Sequence, residues 1–225
     1  DKESGTISHI SKPVEIAFYG GNFTGLSNEE QKTLLSMAQP WLDTGAIQGI
    51  RISTRPDYIH QDALKLLKAF RVTTVELGAQ SLDDTVLQAS RRGHSAADVI
   101  LAISLLKENR FKSGIHLMAG LPGDTPEGFL KTVDHVIALR PDTVRIHPTL
   151  VLSDTVLAAL YEQGRYAPLS LSMAVELCRD ALSRLNTANI AVIRLGLQTT
   201  PSMEKPGAIV AGPYHPSFRD LVIGD

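Results

Sequence analysis

Residues 73–81 read Thr73-Thr74-Val75-Glu76-Leu77-Gly78-Ala79-Gln80-Ser81, and the pattern in this stretch decides the fold. Glu76, Gly78 and Gln80 occupy every second position, with apolar residues between them. Successive side chains of a β-strand point to opposite faces, so this period of two predicts a strand with one apolar and one polar face. A strand buried on both faces would instead be a nearly continuous apolar run.

Four other stretches repeat this alternation. Their polar-face series are Arg51/Ser53/Arg55, His116/Met118/Gly120, Arg145/His147/Thr149 and Arg194/Gly196/Gln198. If the strands lie side by side, the apolar sides form one face that packs against helices, and the other face is polar. A polar face shared by five strands is unlike the branched aliphatic filling of an ordinary eight-stranded barrel. It predicts a lumen that holds a polar ligand.

The spacing of the apolar runs indicates how the strands are connected. The runs begin near residues 14, 47, 73, 112, 143 and 191, so 26 to 48 residues separate them. A strand–helix–strand unit needs about 30 residues or more, which favours parallel strands joined by helices. Amphipathic stretches between the runs begin after capping residues: Ser27 or Asn28, Asp83 or Asp84, Ser95, Thr125 and Ser170 or Ser172.

These observations predict an α/β protein with a partial (β/α)6 barrel of parallel strands and a C-terminal extension. We place the barrel core at residues 1–165 and a helix–strand extension, packed on the same domain, at residues 166–225. A doubly wound open sheet is the alternative, with Glu76 forming buried ion pairs with Arg145 or Arg194.

Composition excludes several classes of protein. The chain has 225 residues, enough for one sizeable core, and a formal net charge of −2, which gives no broad basic surface for nucleic acid. Cys178 is the single cysteine, so neither a disulfide framework nor a thiolate cluster can be built from this chain alone. The apolar run Val99–Leu106 is far shorter than the roughly 18 residues that span a bilayer. We therefore expect a soluble cytoplasmic protein with no membrane partner.

Ligands of parallel α/β folds collect at the carboxyl ends of the strands, where the candidate site residues lie. Gly20 and Gly21 follow the first strand; they could admit a ligand to the backbone or form a simple turn. Ser53 and Arg55 end the second strand, where Arg55 could bind a ligand or pair with Asp57. Gln80 ends the third, and its amide suits a hydroxylated or amide ligand.

The residue types of the remaining candidates allow less specific predictions. Arg91 and Arg92 could be solvated charges at a helix end, and His94 is predicted to be a capping or surface residue. His116 and His147 belong to the polar series, but no carboxylate stands at a recognised ligand spacing. We therefore expect them to form hydrogen bonds in the lumen rather than bind a metal. Cys178 lies in an apolar helical stripe and is predicted to be structural.

Five stretches together resemble the radical S-adenosylmethionine (radical SAM) superfamily, in particular its branch that contains the Elongator catalytic subunit. They occur in family order and spacing, at residues 18–24, 51–57, 76–81, 92–94 and 118–123. The resemblance implies a six-stranded partial barrel that binds S-adenosylmethionine across its top. In such enzymes a [4Fe–4S] cluster, reduced by an electron donor, cleaves the cofactor to a 5′-deoxyadenosyl radical that abstracts hydrogen from the substrate. Family members act on RNA bases, porphyrin precursors and other substrates, so RNA is one candidate here.

The resemblance also implies roles for individual residues. Gly20 and Gly21 would receive the methionine amino group, and Arg92 would meet its carboxylate. The ribose and the rest of the cofactor would lie near Ser53 and Gln80 and be flanked by the stretch from His116 through Gly120 and Leu121. The further cofactor-binding candidates are Asn22, Arg55 and His147. Asn22 stands where the family usually has a small hydroxyl residue, and Ser53 where some relatives have a carboxylate.

The family's CxxxCxxC cluster motif is absent from this chain. It follows the first barrel strand of relatives, and no cysteine precedes Val14. Since the chain begins at Asp1, we expect the first strand–helix unit and upstream cysteines to be missing, and this fragment alone to be inactive. Two alternatives stay open: a degenerate barrel that binds S-adenosylmethionine without chemistry, and an ordinary barrel hydrolase or aldolase.

Overall fold

The computed structural model describes residues 14–197, 200–201, 203 and 205–224. Six parallel strands form one sheet: β1 (Glu15–Phe18), β2 (Gly49–Thr54), β3 (Val72–Gln80), β4 (Lys112–Ala119), β5 (Thr143–Pro148) and β7 (Ala191–Leu195). Their order in the sheet is β1-β2-β3-β4-β5-β7. Each strand therefore pairs with the next strand of this sheet along the chain, without the reversal of a doubly wound sheet. All six predicted strands are confirmed.

The helices are α1 (Asn28–Asp43), α2 (Gln61–Ala69), α3 (Asp84–Ala89), α4 (Ala96–Glu108), α5 (Pro126–Leu139), α6 (Val156–Glu162), α7 (Leu171–Thr187) and α8 (Phe218–Ile223). Side chains that precede them accept hydrogen bonds from first-turn amides, as at Ser27, Asp83, Ser95, Thr125 and Ser170. These caps satisfy amide groups that have no partner within the helix, which fixes where each helix begins.

The main core lies between the helices and the apolar face of the sheet. Alternate residues on the strands are fully buried there, including Ile50, Ile52, Leu77, Ile115, Leu117 and Ile146. α7 contributes Cys178 and Leu185 and α8 contributes Phe218 to this same core. Cys178 is buried in this core, as expected of a structural cysteine, and burial raises the pKa of its thiol to about 12.

The sheet is curled into a half-barrel rather than open and flat. In a flat sheet β1 and β5 would be four strand spacings apart, roughly 19 Å. Yet the Arg145 guanidinium on β5 donates a 2.5 Å hydrogen bond to the Tyr19 hydroxyl just beyond β1, and lies over the Tyr19 ring. Only curling brings these two side chains together across the concave face, so the predicted partial barrel is confirmed.

A small second layer covers the end of β5. Two short strands, β6 (Val151–Leu152) and β8 (Ile209–Ala211), pair antiparallel. Val151 of β6 forms a second apolar cluster with Ala158 of α6 and Tyr166. Among the described residues, none of the helices combines the length and the apolar composition needed to cross a bilayer.

Candidate functional site

The loop after β1 begins with two glycines in conformations that other residues rarely adopt. Gly20 has φ 153° and Gly21 has φ 57°, and the Asn22 amide donates a 2.6 Å hydrogen bond to the Gly20 carbonyl. A Cβ atom on either glycine would meet nothing within 4 Å. The tight turn therefore leaves open space beside its backbone, which a ligand could approach.

Asn22 ties this loop to the end of β2. Its Oδ1 accepts a 2.7 Å hydrogen bond from the Thr54 hydroxyl and a longer one from the Arg55 amide. The Thr54 hydroxyl also lies 2.5 Å from that of Thr24, and both threonines are buried. The side-chain oxygen of Asn22 is thus occupied by hydrogen bonds within the protein, and these bonds position the glycine turn.

Arg55 joins the carboxyl end of β2 to the loop after α3. Its guanidinium forms a two-pronged ion pair with Asp57, at 2.9 and 2.7 Å, and donates to the Gly93 carbonyl. The rim ion pair that the sequence offered as one interpretation of Arg55 is therefore present. Because its guanidinium is bonded to Asp57 and to the Gly93 carbonyl, Arg55 serves mainly to hold the two loops together.

The Arg92 side chain is half-buried and has no counterion among the described residues. Its side chain makes no ion pair with any described residue, and its Nε is buried without a hydrogen-bond partner. Burial, together with the nearby positive charge of Arg55, lowers its pKa from the ordinary arginine value. A half-buried guanidinium whose Nε lacks an acceptor is suited to bind an anion.

The end of β3 places Gln80 beside this region. The register with β4 shifts between Leu77 and Gln80, and Gln80 has φ 68°. Such a bulge re-aims the side chains around it. Within the described part of the chain, the Gln80 amide makes no side-chain hydrogen bond, so its donor and acceptor are available. Ser53 lies on the same concave face, in register with Glu76.

His94 is buried, so the prediction of a surface or capping residue was wrong. Its Nε2 lies 3.1 Å from the Ala79 carbonyl at the end of β3, while its Nδ1 is buried without a partner. Burial lowers the pKa of His94. The contact packs the loop after α3, and with it Arg92, against the carboxyl edge of the sheet. A lone histidine in a loop gives no sequence signal for this.

The floor of the lumen is a network of charges around Glu76, whose side chain is fully buried. Arg51 donates to Oε1 at 2.6 Å, Arg145 donates to the same oxygen at 3.1 and 3.2 Å, and His116 Nε2 lies 2.7 Å from Oε2. Arg51 also bonds Glu15 on β1. Burial opposes ionisation of Glu76, but His116 and Arg145 outweigh it and lower its pKa to about 2. The Glu76–Arg145 ion pair of the open-sheet alternative thus exists inside the half-barrel.

Above this network lies a cavity of about 420 Å³, which we call the lumen cavity. Its described lining comprises Tyr19, His116, Arg145, His147, Arg194, Leu197, Thr200 and Pro201. His147 Nδ1 is buried there without a partner. Burial and the neighbouring His116 and Arg145 lower the pKa of His147 to about 4, so its imidazole is neutral at physiological pH.

The end of β4 is covered by the segment between α6 and α7. The Gly120 carbonyl accepts a 2.7 Å hydrogen bond from the Tyr166 hydroxyl, and a Cβ on Gly120 would lie 2.8 Å from Leu169. Leu121 is buried. Gly120 is therefore required for close packing, whatever further part it plays in binding a ligand.

Seven of the eleven predicted residues fall into two groups. Gly20, Gly21, Asn22, Arg55 and Arg92 form a linked set of loops, while His116 and His147 line the lumen cavity. Sequence reasoning missed Glu15 and Tyr19. They share the polar parity of β1 and could have been found by extending the alternation to that strand. Gln198 of the Arg194 series lies outside the described residues.

The described residues include no group of three or more His, Cys, Asp or Glu side chains that could hold a metal ion. The two lumen histidines have ring centroids 6.1 Å apart, and His116 is already bound to Glu76. His116 thus makes a hydrogen bond in the lumen, while the role of His147 stays a prediction.

Asp124, in the loop after β4, gives a prediction for stability. Its Oδ2 is buried without a partner, and burial together with the charge of Asp83 raises its pKa to about 6. Because this acid is protonated more easily in the folded state, stability falls as pH rises from about 4 to 6. We expect Asp124→Asn to raise the free energy of unfolding at pH 7.5 by about 1 kcal/mol, and by much less at pH 4.5. Urea denaturation at the two pH values measures this.

The exposed α7 residue Asp180 provides the control, since Asp180→Asn should leave stability within about 0.5 kcal/mol of the wild type. Loss of stability in Asp124→Asn at pH 7.5 would contradict the assignment of an unfavourable buried charge.

Models of known families match nearly the whole chain. The Radical SAM superfamily model matches residues 7–136, and the Radical_SAM C-terminal domain model matches residues 141–224. The chain is 30% identical over 197 residues to a tRNA uridine(34) acetyltransferase of Methanocaldococcus infernus, covering 79% of this chain and 37% of that protein. It is 36% identical over 138 residues to human Elongator complex protein 3, covering 60% and 25%. The chain spans about a third of the length of the first of these curated relatives.

Solved structures show the same fold. The archaeal Methanocaldococcus infernus Elp3 with an N-terminal deletion superposes with a TM-score of 0.82 at 27% identity, covering 93% of this chain and 52% of that one. Coproporphyrinogen III oxidase from Escherichia coli, a radical SAM enzyme, superposes with a TM-score of 0.62 at 22% identity, covering 77% and 40%. The similarity to the second structure, at 22% identity, shows the fold alone.

Proposed function

The chain belongs to the radical SAM superfamily, and from this premise we propose that it is the S-adenosylmethionine-binding barrel of an Elongator-type enzyme that modifies an RNA base. The RNA substrate is suggested by the relatives named as tRNA uridine(34) acetyltransferases. The single observation that carries cofactor binding is the half-buried Arg92 guanidinium, whose Nε is buried without a hydrogen-bond partner and which has no counterion among the described residues.

The residues at the carboxyl edge fit S-adenosylmethionine. The Arg92 guanidinium would donate hydrogen bonds to the methionine carboxylate, since a half-buried guanidinium without a counterion gains most from a charged acceptor. The Gly20–Gly21 turn, open on one side, would present its backbone to the amino group. Ser53 and Gln80 would form hydrogen bonds with the ribose and the neighbouring atoms of the cofactor. Asn22 and Arg55 would act as positioning residues, because their polar atoms already hold the loops in place.

The residues of this chain do not fit the [4Fe–4S] cluster. Cys178 is the only cysteine in the sequence, and it is buried on α7 among apolar side chains. The three thiolates that hold the cluster in the family are therefore not among these 225 residues. When the cluster is present, the family's chemistry is reductive cleavage of S-adenosylmethionine to a 5′-deoxyadenosyl radical.

Binding and chemistry can be tested separately. Isothermal titration of the 225-residue protein with S-adenosylmethionine should give saturable binding; absence of heat for both this ligand and S-adenosylhomocysteine would overturn the cofactor assignment. The gene product, purified anaerobically and reconstituted with iron and sulfide, should release 5′-deoxyadenosine on reduction with dithionite. Cofactor binding without 5′-deoxyadenosine would instead support a degenerate barrel that binds without chemistry.

A further inference from the structure

Three turns at the amino edge of the sheet concentrate positive charge. They join α2 to β3, α4 to β4 and α5 to β5, and these three strands are neighbours in the sheet. We call residues 68–72, 107–112 and 139–143 the basic face. Its exposed cationic side chains are Lys68, Arg71, Lys107, Arg110, Lys112 and Arg140. Its acidic residues are Glu108 and Asp142, so a chain of net charge −2 carries a local excess of positive charge there.

The backbone conformation of this face is unusual for arginine. Arg71, Arg110 and Arg140 follow their helices in the left-handed conformation, with φ of 59°, 61° and 45°. Glycine and asparagine are favoured at this position, and Gly164 and Asn189 occupy it after α6 and α7. Three arginines in this conformation cost stability that glycine would not cost, which points to a function of their side chains.

Interactions within the protein do not account for two of these arginines. The negative end of a helix dipole favours a nearby cation, and Lys107 fills this role directly, since its Nζ donates a 2.7 Å hydrogen bond to the Leu139 carbonyl. The guanidinium groups of Arg110 and Arg140, by contrast, make no hydrogen bond or ion pair with any described residue. Their charge is exposed and available to a partner.

We propose that the basic face binds the phosphate backbone of RNA, with Arg110 and Arg140 as contact residues. Neighbouring strands are about 4.8 Å apart, so the three turns lie side by side and present their cations in a row. Guanidinium groups bind phosphate oxygens through paired hydrogen bonds, and such contacts position a nucleic acid without reading its sequence. A row of unpaired cations therefore complements a chain of phosphates.

The inference rests on the proposed function in naming RNA as the partner. The basic face lies at the amino edge of the sheet, and the cofactor residues lie at the carboxyl edge. The two edges are separated by the length of a strand such as β5, roughly 20 Å. An RNA that extends from one edge to the other contacts both, so the basic face supplies affinity while the carboxyl edge supplies the chemistry.

The test measures the binding of an unmodified tRNA transcript to the 225-residue protein by fluorescence anisotropy over a series of salt concentrations. We expect Arg110→Gly/Arg140→Gly to weaken binding about tenfold or more at low salt, and to reduce the slope of log Kd against log salt by about two. Glycine suits the left-handed backbone, so thermal melting should show an unchanged or higher Tm. A purely structural role of the arginines predicts a lower Tm instead.

Arg91→Gly is the matched control. Arg91 is exposed and follows α3 in the same left-handed conformation, but it belongs to the loop at the carboxyl edge. We expect it to change Kd less than Arg110→Gly or Arg140→Gly does alone. Equal weakening by all three single variants would show that binding follows net charge and not the basic face, and would contradict the proposal.

Four other results would overturn the proposal. They are no binding of tRNA to the wild type, an unchanged Kd and salt slope in the double variant, a marked fall in its Tm, and equally tight binding of polyglutamate at the same ionic strength, which would identify an acidic protein as the partner. Titration with S-adenosylmethionine keeps the two proposals apart. Cofactor binding with tRNA binding that ignores the two arginines sinks the basic face alone, and the reverse result sinks the cofactor assignment alone.

Discussion

Replacing Glu76 with glutamine should lower the free energy of unfolding at pH 7.5 by about 3 kcal/mol or more. The carboxylate is fully buried, and it accepts from Arg51, Arg145 and His116. Glutamine keeps the shape but not the charge, so two largely buried guanidinium groups lose their common counterion. Urea denaturation followed by circular dichroism gives the change directly.

The matched control is Glu15→Gln, which removes a partly exposed carboxylate from the edge of the same network. We expect a loss of only about 1 kcal/mol there, because water can replace part of the interaction. A loss for Glu76→Gln no larger than for Glu15→Gln would show that the network does not depend on its buried centre.

Glu76→Gln should also change how the free energy of unfolding depends on pH. The pKa of Glu76 is about 2 in the folded protein, below its ordinary value of 4.5. A lowered pKa means that its contribution is complete above about pH 4.5 and is lost as pH falls toward 2. Glu76→Gln should remove this component of acid unfolding from the wild-type profile.

Replacing Arg92 with glutamine should weaken S-adenosylmethionine binding about tenfold to a hundredfold, which isothermal titration measures. The expected loss is that of a hydrogen-bonded ion pair between the guanidinium and the cofactor carboxylate. Stability without ligand should stay unchanged or rise, because the variant removes a half-buried charge that has no counterion among the described residues.

Arg91→Gln is the control for this variant. Arg91 precedes Arg92, is exposed and has a left-handed backbone conformation. Arg91→Gln therefore removes an equal charge from the same loop and leaves Arg92 in place. Equal affinity of both variants for the cofactor, or a parallel loss of stability and affinity in Arg92→Gln, would argue that Arg92 is structural.

The sequence was sufficient to predict the strands, the helix caps and the polar concave face. These depend on local rules: the period of two along β2 to β5 and the side chains that cap first-turn amides. The burial pattern of β5 alternates residue by residue, as the series Arg145/His147 requires.

Sequence reasoning supplied little of the pairing among distant side chains. It suggested an ion pair of Glu76 with Arg145 or Arg194 only for the open-sheet alternative, and gave no sign that Arg51 and His116 also bond Glu76. Likewise, nothing local shows that Tyr19 meets Arg145 or that Tyr166 bonds Gly120, since each contact depends on the curl of the sheet or on a distant segment. The burial of His94 likewise depends on a contact outside its own loop, with the Ala79 carbonyl.

The Glu76 network also bears on the order in which the chain can fold. Its bonds join residues that lie 25, 36, 40 and 69 positions apart, and they draw on five successive strands. Contacts of such long sequence separation carry a large loop-closure cost and tend to form after local structure. On a ribosome, Glu76 would emerge well before His116 and Arg145, with Arg51 as its only cationic partner from the network. The half-barrel should therefore close late and cooperatively, once β5 has been synthesised.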